Sequence, residues 1–237
     1  MGPLAYGADY LPEDEPLLTA RASAAELGGT EPVQPEVGAA LRFLACAAGA
    51  RTAVEIGTGC GTSGIWLLRG MRPGSTLTSV DIEPEYQRMA RKAFTQAGFA
   101  QNQARLILGR AHEVLPRLSD EAYDLVFCDA DPRDYADYLP GALRLLRTGG
   151  IVVFNNALLA GVPDDDAEDD LDSVASFGSA RVAGDDSFGD LDGAEGSGGA
   201  GAGDELDLAG QVRADSRLVP VLLPLGDGLL AAVKRGD

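Results

Sequence analysis

Hydrophobic positions along this chain alternate between short continuous runs and longer stripes at helical spacing. The runs predict strands at 52–56, 76–82, 105–108, 123–129 and 151–155, with helices between them at 62–70, 84–97, 112–118 and 135–147. Runs such as Leu125-Val126-Phe127 and Ile151-Val152-Val153-Phe154 are apolar on both faces, as parallel strands covered on two sides must be. Strand–helix alternation of this length implies βαβ units and an α/β fold with a doubly wound, mostly parallel sheet. Two helices precede the first strand. One is expected over 11–27, with acids in its first turn and Gly28-Gly29 as its stop. The other starts near Pro35 and carries Val37, Leu41, Leu44, Ala45 and Ala48 on one face. Coming before the sheet, both are placed to cap one side of a ligand site. After Asp215, segments 217–224 and 229–234 flank Gly226-Asp227-Gly228 and predict a C-terminal antiparallel hairpin. Pro220 and Pro224 suit the edge of a sheet and not its centre.

The pattern breaks between 163 and 207. Asp164-Asp165-Asp166, Glu168-Asp169-Asp170, Asp185-Asp186 and the glycine-rich 193–203 stretch bury too little apolar surface to fold. The expectation is therefore one domain over 1–237 carrying a disordered acidic insertion at 163–207. Within it, 186–193 resembles part of a calcium loop, but Phe188 stands at a ligand position and no Glu closes the loop. Much of the net charge of −18 comes from this segment, and it argues against nucleic acid as a partner. No apolar run is long enough to span a membrane, and the acidic start (Asp9, Glu13, Asp14, Glu15) is unlike a signal peptide, so a cytoplasmic location is expected. Cys46, Cys60 and Cys128 are too scattered for a disulfide framework. His112 is the only histidine, which leaves zinc without a Cys/His ligand set and a Ser-His-Asp mechanism with a single candidate base. A metal here would be held by oxygen, pointing to magnesium, manganese or calcium.

Chemistry concentrates in Glu55-Ile56-Gly57-Thr58-Gly59-Cys60-Gly61-Thr62-Ser63-Gly64, a strand end passing through a glycine loop into a helix. Glycines there allow a tight turn and close backbone approach to a nucleotide-like ligand. Gly59-x-Gly61-x-x-Gly64 also matches the dinucleotide fingerprint, so nicotinamide or flavin cofactors stay open, as does a ligand-free turn. Glu55 separates them: a carboxylate repels a pyrophosphate but attracts the ammonium and sulfonium of S-adenosylmethionine. Further polar groups follow other strands at the same sheet end: Asp81 after the second, Asp129 and Asp131 after the fourth, Asn155 and Asn156 after the fifth. Asp81 stands about 20 residues past the loop, where a carboxylate can accept ribose hydroxyls.

These segments, with Val80-Asp81-Ile82, Tyr123–Asp131, Gly149-Gly150-Ile151 and the terminal Leu223-Pro224-Leu225-Gly226-Asp227-Gly228-Leu229, resemble the caffeoyl-CoA and catechol-type O-methyltransferases, above all their bacterial members. The resemblance covers about 10–161 and 215–234 and implies a Rossmann-like class I methyltransferase fold. It implies S-adenosylmethionine contacts at Val33, Glu55, Gly57, Thr58, Ser63, Asp81, Ala111 and Asp131, with Glu55 at the methionine part, Asp81 at the ribose and Ala111 at the adenine edge. His112, beside Ala111, reads as a helix-start residue. Asp129 is implied as the catalytic and acceptor-binding acid, and Asp129, Asn155 and Asn156 as ligands of a divalent cation such as magnesium. Here the chain departs from the family pattern. Asn155 replaces a usual Asp, which weakens a hard-cation site; Pro132 replaces a common Lys, and Ala160 a polar substrate contact. The implied activity is methyl transfer to a hydroxyl of a small, phenolic or catechol-like acceptor, with a homodimer as the implied assembly. The alternative is a cofactor-binding protein with little catalysis, acting through its surface or acidic insertion.

Overall fold

Gly57 and Asp129, which end neighbouring strands at the centre of the sheet, mark where the architecture opens for a ligand. The computed structural model describes residues 11–158 and 208–236. Helices α1 (Glu15–Leu27) and α2 (Pro35–Ala47) lead into β1 (Thr52–Ile56), α3 (Thr62–Gly70), β2 (Thr76–Asp81), α4 (Pro84–Gln96) and β3 (Ala104–Leu108). Then come the short α5 (Ala111–Val114), β4 (Tyr123–Cys128), α6 (Tyr135–Leu145), β5 (Leu146–Phe154), α7 (Leu208–Ala214), β6 (Leu218–Leu223) and β7 (Leu229–Lys234). The seven strands pair in the order β3-β2-β1-β4-β5-β7-β6. β1 to β5 run parallel, and β7 is antiparallel to both β5 and β6. The arrangement is α/β, a mostly parallel doubly wound sheet closed by an antiparallel C-terminal hairpin, as the sequence predicts.

Two apolar layers clamp the sheet. Leu17, Leu41, Ile65, Phe94, Phe127 and Val153 belong to the layer under α1–α4, and Val54, Val126, Tyr135, Leu145 and Phe154 to the layer under α5–α7. Adjacent residues Val126 and Phe127 enter opposite layers, which is why these strands are apolar without alternation. Truncating a fully buried side chain such as Phe127 to Ala costs on the order of 3–5 kcal/mol.

Several boundaries differ from the sequence expectation for physical reasons. α1 begins at Glu15 and not at residue 11, because Pro16 fits only the first turn and the Asp14 carboxylate turns away to Arg69 at 2.6 Å. The helix expected at 112–118 is one turn, Ala111–Val114, tightening into a 3₁₀ turn at Leu115–Arg117 where Pro116 withholds its N–H. α6 stops at Leu145, and Leu146 already pairs with Tyr123. β5 makes an excursion between Leu146 and Ile151, and Arg147 ties it back with Nε donating to Asp124 Oδ1 at 2.6 Å. Helix α7, in the stretch between the expected insertion and Asp215 for which no element was expected, packs Leu208 and Val212 into the second apolar layer. β6, with Pro220, is an edge strand as expected. The three cysteines are free thiols. Among the described residues no helix is long and apolar enough to cross a membrane. The segment 163–207, its calcium-like stretch and Ala160 lie outside the described residues.

Candidate active site

Strand order reverses between β1 and β4, and open α/β sheets place ligands outside the carboxyl ends of the strands at such a switch point. Here the Asp129 N–H donates to Ile56 O at 2.8 Å and the Gly57 N–H to Val80 O at 2.9 Å, so the pairing of β1 with both neighbours continues to the mouth of the site. Gly57 has φ +92, and a Cβ on it would collide with the Asp129 carbonyl. Only glycine lets β1 turn away that close to β4. Gly61 caps α3 in the left-handed conformation at φ +95, where a Cβ would press on Ala90 of α4.

The loop is held from below and from the side. Ser79 Oγ donates to Glu55 Oε2 at 2.6 Å and, with its proton so used, accepts from Thr58 Oγ1 at 2.7 Å. Glu55 is fully buried, and burial pushes its carboxyl up to about 8 against the opposing Ser79 and Ser63 hydroxyls. Its other oxygen, Oε1, is buried and has no hydrogen-bond partner among the described residues. Asp81 Oδ2 accepts the Thr58 and Gly59 amides, both at 2.9 Å, while Oδ1 accepts the Glu83 amide at 2.9 Å. A carboxylate has about four acceptor positions, so Asp81 shapes the loop and still has capacity toward a ligand.

Above this floor lies a cavity of about 510 Å³. Of the sequence-predicted residues it brings together Val33, Gly57, Thr58, Ser63, Asp81, Asp129, Asp131 and Asn156. Ala111 lines a smaller adjoining cavity of about 180 Å³ with His112 and Tyr138, and Gly57, Asp81 and Asp131 border both. Glu55 and Asn155 are absent from both linings: Glu55 lies beneath the loop, and Asn155 behind Asp129.

Asp129 and Asn155 meet as acceptor and donor. Asn155 Nδ2 donates to Asp129 Oδ1 at 2.9 Å, and Asn155 Oδ1 is buried without a partner among the described residues. Burial raises the Asp129 carboxyl to about 6, opposed by this hydrogen bond. Asn156 adopts φ +51, a left-handed conformation that Asn tolerates better than most residues, and this lets it follow Asn155 into the lining. The expected ligand set Asp129, Asn155 and Asn156 is therefore a poor match for a hard cation. It offers one carboxylate, one of that carboxylate's oxygens is occupied, and Asn155 presents N–H where an oxygen is required. Asp131 pairs with its neighbour Arg133, Nη2 to Oδ2 at 2.7 Å, and the guanidinium holds its carboxyl below the usual range.

Of the roof, sequence reasoning named only Val33 and missed the rest. Residues 29–33, between α1 and α2, line the larger cavity, and Tyr86 donates to Gly28 O at 2.8 Å at one end of this strap. At the other end Arg21 donates to Val33 O at 2.8 Å and Pro32 O at 3.3 Å. Glu13 braces Arg21 through a bidentate pair at 2.7 and 2.8 Å. The signals in the sequence were Val33, through the family resemblance, and the position of both helices ahead of the sheet.

Comparison with known proteins agrees with this geometry. Residues 17–235 match the family model described as O-methyltransferase. A Mycobacterium marinum protein, provisionally named an O-methyltransferase, is 43% identical over 230 residues, covering 97% of this chain and 89% of its own length. Among solved structures, the O-methyltransferase TomG of Streptomyces achromogenes, involved in tomaymycin synthesis and crystallised with S-adenosylmethionine, superposes with a TM-score of 0.72. It is 26% identical, and the match covers 98% of this chain and 96% of TomG. A Corynebacterium glutamicum protein gives a TM-score of 0.72 at 29% identity, covering 98% of this chain and 95% of its own.

Proposed function

We propose an acceptor class and a set of residue roles from one premise: this chain belongs to the O-methyltransferase family, enzymes that take their methyl group from S-adenosylmethionine. The proposed acceptor is a small molecule with a phenolic or catechol-like hydroxyl. The observation that carries the proposal is that Asp129 and the glycine loop share one cavity.

The residues suit the donor. Glu55 Oε1 is a buried acceptor without a partner among the described residues, under a loop whose first glycine has no space for a side chain. We assign Val33, Gly57, Thr58 and Ser63 to the methionine part, Asp81 and Asp131 to the ribose side, and Ala111 to the base edge in the smaller cavity. S-adenosylmethionine, when bound, supplies an electrophilic methyl group on a sulfonium sulfur.

Asp129 is assigned as the general base. A carboxyl raised to about 6 is ionised at neutral pH yet more basic than an ordinary aspartate. Asn155 occupies Oδ1, which leaves Oδ2 to take the acceptor's hydroxyl proton as the oxygen attacks the methyl carbon. Asn156 and strap residues 29–32 orient the acceptor for in-line attack. No step in this scheme passes through a cation.

Transfer from labelled S-adenosylmethionine to a panel of phenols and catechols, with and without chelator, tests the proposal. Methylation of a ring hydroxyl supports it. Binding of S-adenosylhomocysteine without transfer to any phenol refutes the acceptor assignment and favours a binding role.

A further inference from the structure

Among the described residues, the hydrogen bonds that hold strap 29–33 end on its carbonyl oxygens: Pro32 O and Val33 O both accept from Arg21. Its amides are unused. Pro32 has no N–H, and no amide of residues 29, 30, 31 or 33 donates to another described residue. Pro32–Val33 is a trans peptide, so its C=O and N–H point in opposite directions. With the Pro32 carbonyl turned to the guanidinium, the Val33 N–H is turned away from it. Val33 lines the larger cavity and Arg21 does not. Val33 is 3% exposed, and a buried amide needs an acceptor. A carbonyl bonded to a cation also polarises its peptide, which strengthens the opposite N–H as a donor. Among the residues lining this cavity none is Lys, Arg or His, so a carboxylate bound there depends on such N–H groups.

The Arg21 guanidinium spends four of its five N–H groups on this arrangement, two on Glu13 and one on each strap carbonyl. Glu13 precedes α1 and the two carbonyls follow it, so one planar fork ties both flanks of the helix together. The Glu13 side chain is only 5% exposed, and its bidentate grip fixes the plane of the guanidinium. We infer that Glu13 and Arg21 are positioning residues for the methyl donor. Glu13 aims the guanidinium, Arg21 sets the Pro32–Val33 peptide, and the Val33 N–H is thereby presented to the donor's carboxylate. The inference rests on the assignment of Val33 to the methionine part and adds two residues that line neither cavity.

The test measures binding of two ligands to the full-length protein by calorimetry. One is S-adenosylhomocysteine; the other is its decarboxylated form, which keeps the nucleoside, the sulfur and the ammonium. The parent is expected to favour S-adenosylhomocysteine by about tenfold or more, the margin that a hydrogen bond to a charged group confers. In Arg21→Ala the margin shrinks about tenfold, with affinity for the decarboxylated ligand within about twofold of the parent. Arg21→Lys recovers part of it, since the three N–H groups of an ammonium cannot serve four acceptors. In Glu13→Gln the margin falls several-fold, and adding this change to Arg21→Ala alters nothing further, because Glu13 acts through Arg21. Equal loss of both ligands in the variants would mean a roof that has merely loosened, and overturns the inference. So does a margin that survives in Arg21→Ala, or a parent that binds the two ligands equally. A margin unchanged in Glu13→Gln, or a further drop in the double variant, removes Glu13 from the chain of action. Failure of the parent to bind S-adenosylhomocysteine at all overturns the donor assignment, and the inference with it.

Discussion

Replacing Glu55 with Gln removes one proton equilibrium from the centre of the sheet, and the direction of the result follows from burial. Glu55 is fully buried, and its carboxyl is raised from 4.5 to about 8. Below pH 4.5 it is protonated in both folded and unfolded chains and contributes no pH dependence. Above that, the unfolded chain releases the proton while the folded one retains it, so stability falls as pH rises until the folded group ionises near 8. At ~1.4 kcal/mol per pH unit the loss across this window is on the order of 5 kcal/mol. The Gln variant has no such slope. Urea unfolding of the ligand-free protein at several pH values from 5 to 8 is the assay. The variant's stability relative to the parent is expected to climb by several kcal/mol across the series, while its affinity for S-adenosylmethionine drops, because a bound ammonium favours the ionised form of the parent's carboxyl and an amide has no such form. Parallel stability profiles for the two proteins would refute the reasoning, since they would mean that Glu55 titrates normally and is not desolvated.

Other consequences are open to direct measurement. Asp129→Asn should lower turnover by about 10²–10⁴-fold with S-adenosylhomocysteine affinity within a few-fold of the parent, and the parent's rate should rise with pH through about 6 as the base form appears. Arg21→Ala, which releases the Val33 and Pro32 carbonyls, should raise the KM for S-adenosylmethionine by about tenfold with kcat within about twofold, and Arg21→Lys should restore only part of it. Chelator should leave methyl transfer by the parent unchanged. Asn155→Asp, by adding a second carboxylate beside Asp129, should make transfer respond to added magnesium, read as a rate ratio with and without the ion.

Much of this architecture was legible because its signals are local. Leu125-Val126-Phe127 announces a strand buried on both faces, and the glycines from 57 to 61 announce a backbone conformation that side chains would obstruct. Polar groups at the ends of β1, β2, β4 and β5 converge because parallel strands start and stop together. What stayed hidden depends on distant pairs. Nothing near Arg21 in the sequence says that its guanidinium will brace carbonyls 11 and 12 residues away with Glu13 behind it. Glu55 was expected to face the donor, and its depth follows from Ser79 on the neighbouring strand, a register that sequence spacing does not give. Helix α7 was overlooked because two apolar residues one turn apart, Leu208 and Val212, are a weak pattern beside an acidic stretch. The job of Asn155 depended on which end of its amide meets Asp129.

The position of β7 bears on how the protein is made. It follows every other described element in the chain, yet it lies inside the sheet, between β5 and β6. While the ribosome still holds residues 229–234, the flank of β5 has no neighbour to receive its hydrogen bonds, and β6 has no strand to pair with. The hairpin tip also anchors the chain just past Asn156, with the Ala157 N–H donating to Gly228 O at 2.9 Å and the Leu158 N–H to Asp227 O at 3.1 Å. A nascent chain can thus form the donor cradle early, but one wall of the reaction chamber is fixed only after these last segments have emerged.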